Sequence, residues 1–90
     1  VTSRVDILDS ALQFVTVDRA ATHGAAEDSF ARIAAIWSLR LGVEITAAQV
    51  ALMMVDFKTV RAWANPGHAD NYVDIAGYAA LAGEIASGEG

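Results

Sequence analysis

"NPGHADNYVDIAGYAAL", residues 65 to 81, holds both the break that decides the fold and the residue that suits the fold least. The Asn-Pro-Gly step stops one helix, because proline has no amide hydrogen to donate and disfavours the α conformation in the residue before it. A new helix begins near Asp70 or Asn71 and runs to just before Gly88. Within it Asp74, Tyr78, Leu81 and Ile85 recur at spacings of four and three, so they lie on one face. That face is expected to be buried, yet it carries a carboxylate. The linker is short, which turns the chain back on itself as an antiparallel helical hairpin.

The helix before the break opens at Thr46 with Gln49 three residues later, the spacing at which a hydroxyl and a side-chain amide each accept an otherwise unpaired backbone N–H. It reaches Ala64, and its main apolar stripe reads Val50, Met53, Met54, Phe57, Val60 and Ala64. Leu52 and Trp63 lie on the opposite side. Apolar residues on two sides imply a central helix or a contact with a second subunit, and Leu52 and Trp63 are the expected interface residues.

Upstream, Phe30, Ile33, Ala34, Trp37 and Leu41 define a helix from about Ala25 to Leu41, with Gly42 placed to close it in the left-handed conformation. Ser3 and Asp6 repeat the capping-box spacing before a first helix whose face is Val5, Leu8, Leu12 and Val15, ending about Val17. A polar break, "DRAATHG", separates these two and ends at Gly24. No strand alternation, internal repeat or interdomain linker interrupts the pattern. The expectation is an all-α, compact four-helix domain spanning residues 1–90.

Ninety residues bury only roughly 60 to 65% of the surface that the unfolded chain exposes, so the stability margin is thin. The 54% hydrophobic fraction is high for this size and rich in alanine, which suggests that a partner subunit covers part of it and that the protein is a homo-oligomer. Six basic residues and a net charge of −5 argue against a nucleic-acid partner, since phosphate-backbone affinity rests on clustered Lys and Arg. The absence of cysteine rules out a disulfide framework, a thiolate zinc site and a cysteine nucleophile. No run of roughly 18 apolar residues suggests membrane insertion, and no signal-peptide pattern opens the chain, so a cytoplasmic location is expected.

Placed at about 100° per residue, Arg61 falls inside the main stripe of the third helix, between Met54 and Phe57. A buried guanidinium needs a counter-charge, and Asp74 on the next helix is the natural one. Asn71 and Asp74 also stand at capping-box spacing. Read functionally, Lys58 and Arg61 on one helix and Asp70 and Asp74 on the other border a pocket for a phosphate and its divalent metal, Mg²⁺ or Mn²⁺, which needs only one or two carboxylates beside phosphate oxygens and water. Glu27, one turn before Phe30, is a further candidate metal ligand and Arg19 a further phosphate contact. His23 and His68 flank glycine in loops, and Ser29 and Ser38 lack the histidine and acid of a nucleophilic triad. Trp37, Trp63, Tyr72 and Tyr78 read as core or interface aromatics.

"DRAATHGAAEDSFARIAAIWS" and "ITAAQVALMMVDFKTVRAWANPGHADNYVDIAGYAAL" together resemble an uncharacterised family of small phage and prophage proteins over nearly the whole chain. More distantly, the arrangement is similar to the all-α nucleoside triphosphate pyrophosphatases of the MazG-like type. They hold Mg²⁺ on a nucleoside triphosphate with a Glu-x-x-Glu helix and a following Glu-x-x-Asp helix. Asn71-x-x-Asp74 stands where the second motif would be, while the first has no match. The resemblance implies a phage protein that binds or handles a nucleotide or related phosphate in the host cytoplasm, with weak or absent pyrophosphohydrolase activity. The competing expectation, from composition and the incomplete motifs, is a non-enzymatic interaction protein that binds a host bacterial protein.

Overall fold

The computed structural model describes residues 2–18 and 26–89, with side chains described for residues 2–17 and 28–88. Four helices follow one another: α1 Arg4–Gln13, α2 Ala26–Leu41, α3 Ala47–Ala64 and α4 Ala69–Glu89. No strand forms among the described residues. No helix among them is long and apolar enough to cross a membrane.

The helix ends follow local chemistry. Ser3 Oγ accepts from the Asp6 amide at 3.1 Å, while the Asp6 carboxylate accepts from the Ser3 amide at 3.2 Å. Thr46 and Gln49 repeat this reciprocal cap at the start of α3, at 3.1 and 2.9 Å. Gly42 closes α2 at φ +70°, a conformation that a side chain disfavours, and its amide donates to the Ser38 carbonyl at 2.9 Å. The first helix does not simply stop near Val17. It widens into a π-helical turn, Phe14–Asp18, in which the Thr16 hydroxyl donates to the Leu12 carbonyl at 2.6 Å. The last helix begins one residue earlier than its polar start suggests and continues past Gly88.

α3 and α4 form the expected hairpin, joined by residues 65–68. The core gathers Phe30 and Ala34 of α2, Ala48, Val50 and Ala51 of α3, and Leu81, Ala82 and Ile85 of α4, with Val15, Ile33, Trp37, Ile45 and Tyr78 packed around it. The face of α4 is therefore the one its spacing predicts. The faces of α1 and α3 are so only in part, through Val15 and Val50. In α1 the buried residue is Ala11, and Val5, Leu8 and Leu12 stand exposed. In α3 the covered row is Ala48, Ala51, Val55, Lys58 and Ala62, with Val50 beside it. Of the expected stripe, Val50 is fully buried and Met54 half-buried, while Met53, Phe57, Val60 and Ala64 face solvent, Val60 at 69%. Leu41 too is exposed at the end of α2.

The reason is shared. A seam of alanine methyls lets two helix backbones approach closely, and interaxial distance depends on the side chains at the contact. Large residues dominate a periodicity reading, but here they lie beside the seam.

Close approach also explains Gly77. A Cβ there would lie 2.7 Å from Phe14 Cδ2 and 3.2 Å from Val15 Cγ1, so the π-turn rests against the bare backbone of α4. The Phe14 ring meets Tyr78 edge-on at 5.9 Å. At Gly83, by contrast, a Cβ would have nothing within 4 Å. In urea denaturation Gly83→Ala should therefore stabilise by about 0.5 to 1 kcal/mol through helix propensity alone. Gly77→Ala should lose about 1 to 3 kcal/mol, because Phe14 must shift; equal effects at the two glycines would remove the close-approach explanation.

Candidate functional site

The carboxylate on the buried face of α4 is matched by a lysine. Lys58 Nζ lies 2.8 Å from Asp74 Oδ2, and the two side chains are 20% and 23% exposed. Arg61 is not the partner: it is exposed, and its guanidinium lies 5.3 Å from the Phe57 ring centroid, over the solvent-facing side of α3. The expectation of an Arg61–Asp74 pair fails for the same reason as the α3 stripe. Once the alanine seam defines the inner face, Lys58 is within it and Arg61 on its edge. Lys58 itself is 5.8 Å from the Phe57 ring, so both cations border that aromatic.

One turn before Asp74, Asn71 is 5% exposed, and its side-chain amide has no hydrogen-bond partner among the described residues. It is not a helix cap as its spacing from Asp74 suggests, because both residues lie inside α4 and the Asn71 backbone amide donates to the His68 carbonyl at 3.2 Å. Sequence periodicity alone puts Asn71 one turn before Asp74 on the same row. What it does not signal is that this row stays covered up to the helix start.

Glu27 sits in the first turn of α2, but its side chain lies outside those described, as do Arg19 and His23 entirely. The level of that turn is nonetheless visible: Phe30, one turn further on, lies 6.2 Å from Tyr78, which is one turn beyond Asp74. Asp70 does not join Asp74. Its side chain is largely exposed and points toward His68, 3.9 Å away and itself exposed. Among the described residues no three His, Cys, Asp or Glu side chains converge as a metal cage would require.

A profile for a domain of unknown function, DUF6378, matches residues 6–86. The chain belongs to the DUF6378 family. It is similar to the Gene 55 protein of Mycobacterium phage L5, with 40% identity over 78 residues that cover 86% of this chain and 50% of that protein. The chain thus spans about half the length of the curated relative it matches. No solved structure matches it. Membership of DUF6378 ties the chain to a phage protein and assigns no activity.

In this DUF6378 chain the other described sequence candidates fall away from the Lys58–Asp74 pair. The Ser38 hydroxyl bonds Ile45 twice, accepting from its amide at 2.8 Å and donating to its carbonyl at 3.2 Å, so it fastens the α2–α3 connection. Trp63 and Leu52 are exposed, Trp63 at 84%. Trp63 lines an open apolar cleft of about 440 Å³ with Thr59, Ala62, Pro66, Tyr72 and Ile75, where the Tyr72 hydroxyl donates to the Pro66 carbonyl at 2.7 Å. Thr59 and Ile75 each follow a member of the ion pair and so lie about 100° further round their helices.

The ion pair is recessed but not dry, so its rupture should cost less than that of a fully buried pair. Asp74→Ala is expected to lose about 1 to 3 kcal/mol by stranding Lys58, and Arg61→Ala to stay within about 0.5 kcal/mol of wild type. Chemical denaturation of the two variants decides between the partners: a larger loss at Arg61 than at Asp74 would contradict the pairing.

Proposed function

We propose that the recessed cluster of Lys58, Asp74 and Asn71 binds the phosphate portion of a nucleotide or related phosphorylated small molecule together with Mg²⁺ or Mn²⁺, in the cytoplasm of a phage-infected cell. The observation that carries this reading is Asn71. A structural ion pair accounts for Lys58 and Asp74, but a buried amide that has no partner among the described residues is a cost that packing alone does not explain. A ligand oxygen would satisfy it.

The chemistry of the cluster divides by charge. The Lys58 ammonium is a compact point charge suited to phosphate oxygens. Asp74 supplies a hard oxygen ligand, and the Asn71 amide can donate to an oxygen and accept from a hydroxyl. Until a ligand arrives, Lys58 and Asp74 neutralise each other at 2.8 Å. The donor set suits a cation that takes one or two carboxylates and completes its shell with phosphate and water; it does not suit an all-protein cage. Arg61 lies nearer the rim of α3 and Asp70 points away toward His68, so Glu27 and Arg19 are the remaining candidates to join the site.

Binding is proposed to outlast hydrolysis. A MazG-like pyrophosphatase positions water and metal with several carboxylates, and this chain has no Glu-x-x-Glu helix. The alternative, a non-enzymatic protein that captures a host protein, draws on the exposed apolar face of α3 and needs none of the polar cluster.

A thermal-shift screen of nucleoside triphosphates with Mg²⁺ or Mn²⁺ separates these readings. A true ligand at 100 times its Kd should stabilise by about 2.7 kcal/mol. Asn71→Ala should keep the unliganded stability within about 1 kcal/mol, since the side-chain amide bonds none of the described residues, while weakening the ligand at least tenfold, or about 1.4 kcal/mol. No pyrophosphate release is expected. A flat response to every nucleotide would overturn the phosphate reading and leave the protein-capture one.

A further inference from the structure

We propose that the outer face of α3 is covered by the same face of a second copy of this chain, paired antiparallel about a two-fold axis that passes between Phe57 and Val60. The proposal is independent of the phosphate reading. Its first support is the composition of the face. Leu52, Met53, Phe57, Val60 and Trp63 are all exposed, with Asp56 set among them and Arg61 at their edge. Interface cores are depleted in charge and enriched in Trp, Phe and Met; Met53 and Phe57 lie in this row, with Trp63 and Leu52 on its flank. The exposed aliphatic row of α1, Val5, Leu8 and Leu12, is shorter and has no aromatic.

The second support is area. A folded monomer of 9.4 kDa exposes roughly 5,000 Å². This chain exposes 5991 Å² in all. The surplus of roughly 1,000 Å² belongs to the chain as a whole and is large enough to supply the roughly 800 Å² that each partner loses in a standard interface.

The third is self-complementarity. With the axis midway between Phe57 and Val60, Phe57 of one copy is level with Val60 of the other, and Met53 with Ala64. Large then meets small or branched along the row, as an isologous contact requires.

The test uses the complete absence of native cysteine. Light scattering at tens of micromolar should give twice the 9.4 kDa chain mass for the wild type, and the chain mass for the double variant Phe57→Glu/Val60→Glu with its helical signal intact. In the otherwise wild-type chain, Val60→Cys should form a disulfide-linked dimer under mild oxidation, because residues near a two-fold axis meet their own copies. Ser87→Cys, exposed at the far end of α4, should not. A monomeric wild type would overturn the proposal and leave the face to a different protein. A dimer that survives both glutamates, or that links through Ser87→Cys and not Val60→Cys, would overturn it in favour of another contact.

Discussion

Four residues separate α3 from α4, and that short connection fixes which residue of one helix stands level with which residue of the other. Counting outward from the turn, Lys58 comes within one residue of the level of Asp74, with which it pairs, and Ala51 shares the core with Leu81 and Ala82. The ion pair is thus a consequence of loop length as much as of charge. It also acts back on the loop, since a slip of one helical turn, about 5.4 Å, would part the two charges. In a domain with this little core, the cost of that error is a large share of total stability.

The hairpin then determines what the other helices can do. α2 lays Phe30 and Ala34 onto the alanine and leucine surface that α3 and α4 share, and Tyr78 stands between Phe30 and Phe14. The π-turn after α1 sets Phe14 and Val15 over Gly77, where only a missing side chain leaves room. Among the described residues, Lys58 and Asp74 meet on this inner surface, and Asn71 lies buried one turn nearer the start of α4. Apolar packing is continuous toward Ile85 and gives way only toward the turn.

Much of this could be read from the chain. Thr46 with Gln49, Ser3 with Asp6, Gly42 and the Asn-Pro-Gly step each have a local physical reason, so the four helices and most of their ends were legible. The α4 face was legible because Tyr78, Leu81 and Ile85 are large. The α1 and α3 faces were so only in part, because Ala11, Ala48, Ala51 and Ala62 carry little weight in a hydrophobic pattern and yet occupy the seams. That single misreading moved the α3 face by roughly a third of a turn and chose Arg61 over Lys58. The π-turn depends on a tertiary contact at Gly77, which no local pattern announces. Of the polar candidates, Lys58 and Asp74 are brought together, Asp70 and Arg61 stay outside the pair, and Asn71 acquires its interest only from its burial.

The alanine seam also bears on how such a chain can diverge. At Ala48, Ala51 and Ala62 a larger side chain would push two backbones apart, while glycine would weaken the helix, so few replacements are neutral there. On the outer face of α3 almost any side chain can be accommodated by an isolated copy. Sequence drift should accordingly be slow along a row of the plainest residues in the protein and fast along its most conspicuous ones, unless the outer face is itself held by a partner. Among relatives, the rate of change at Phe57 and Val60 relative to Ala51 and Ala62 would record whether that surface has been free or occupied over the history of the family.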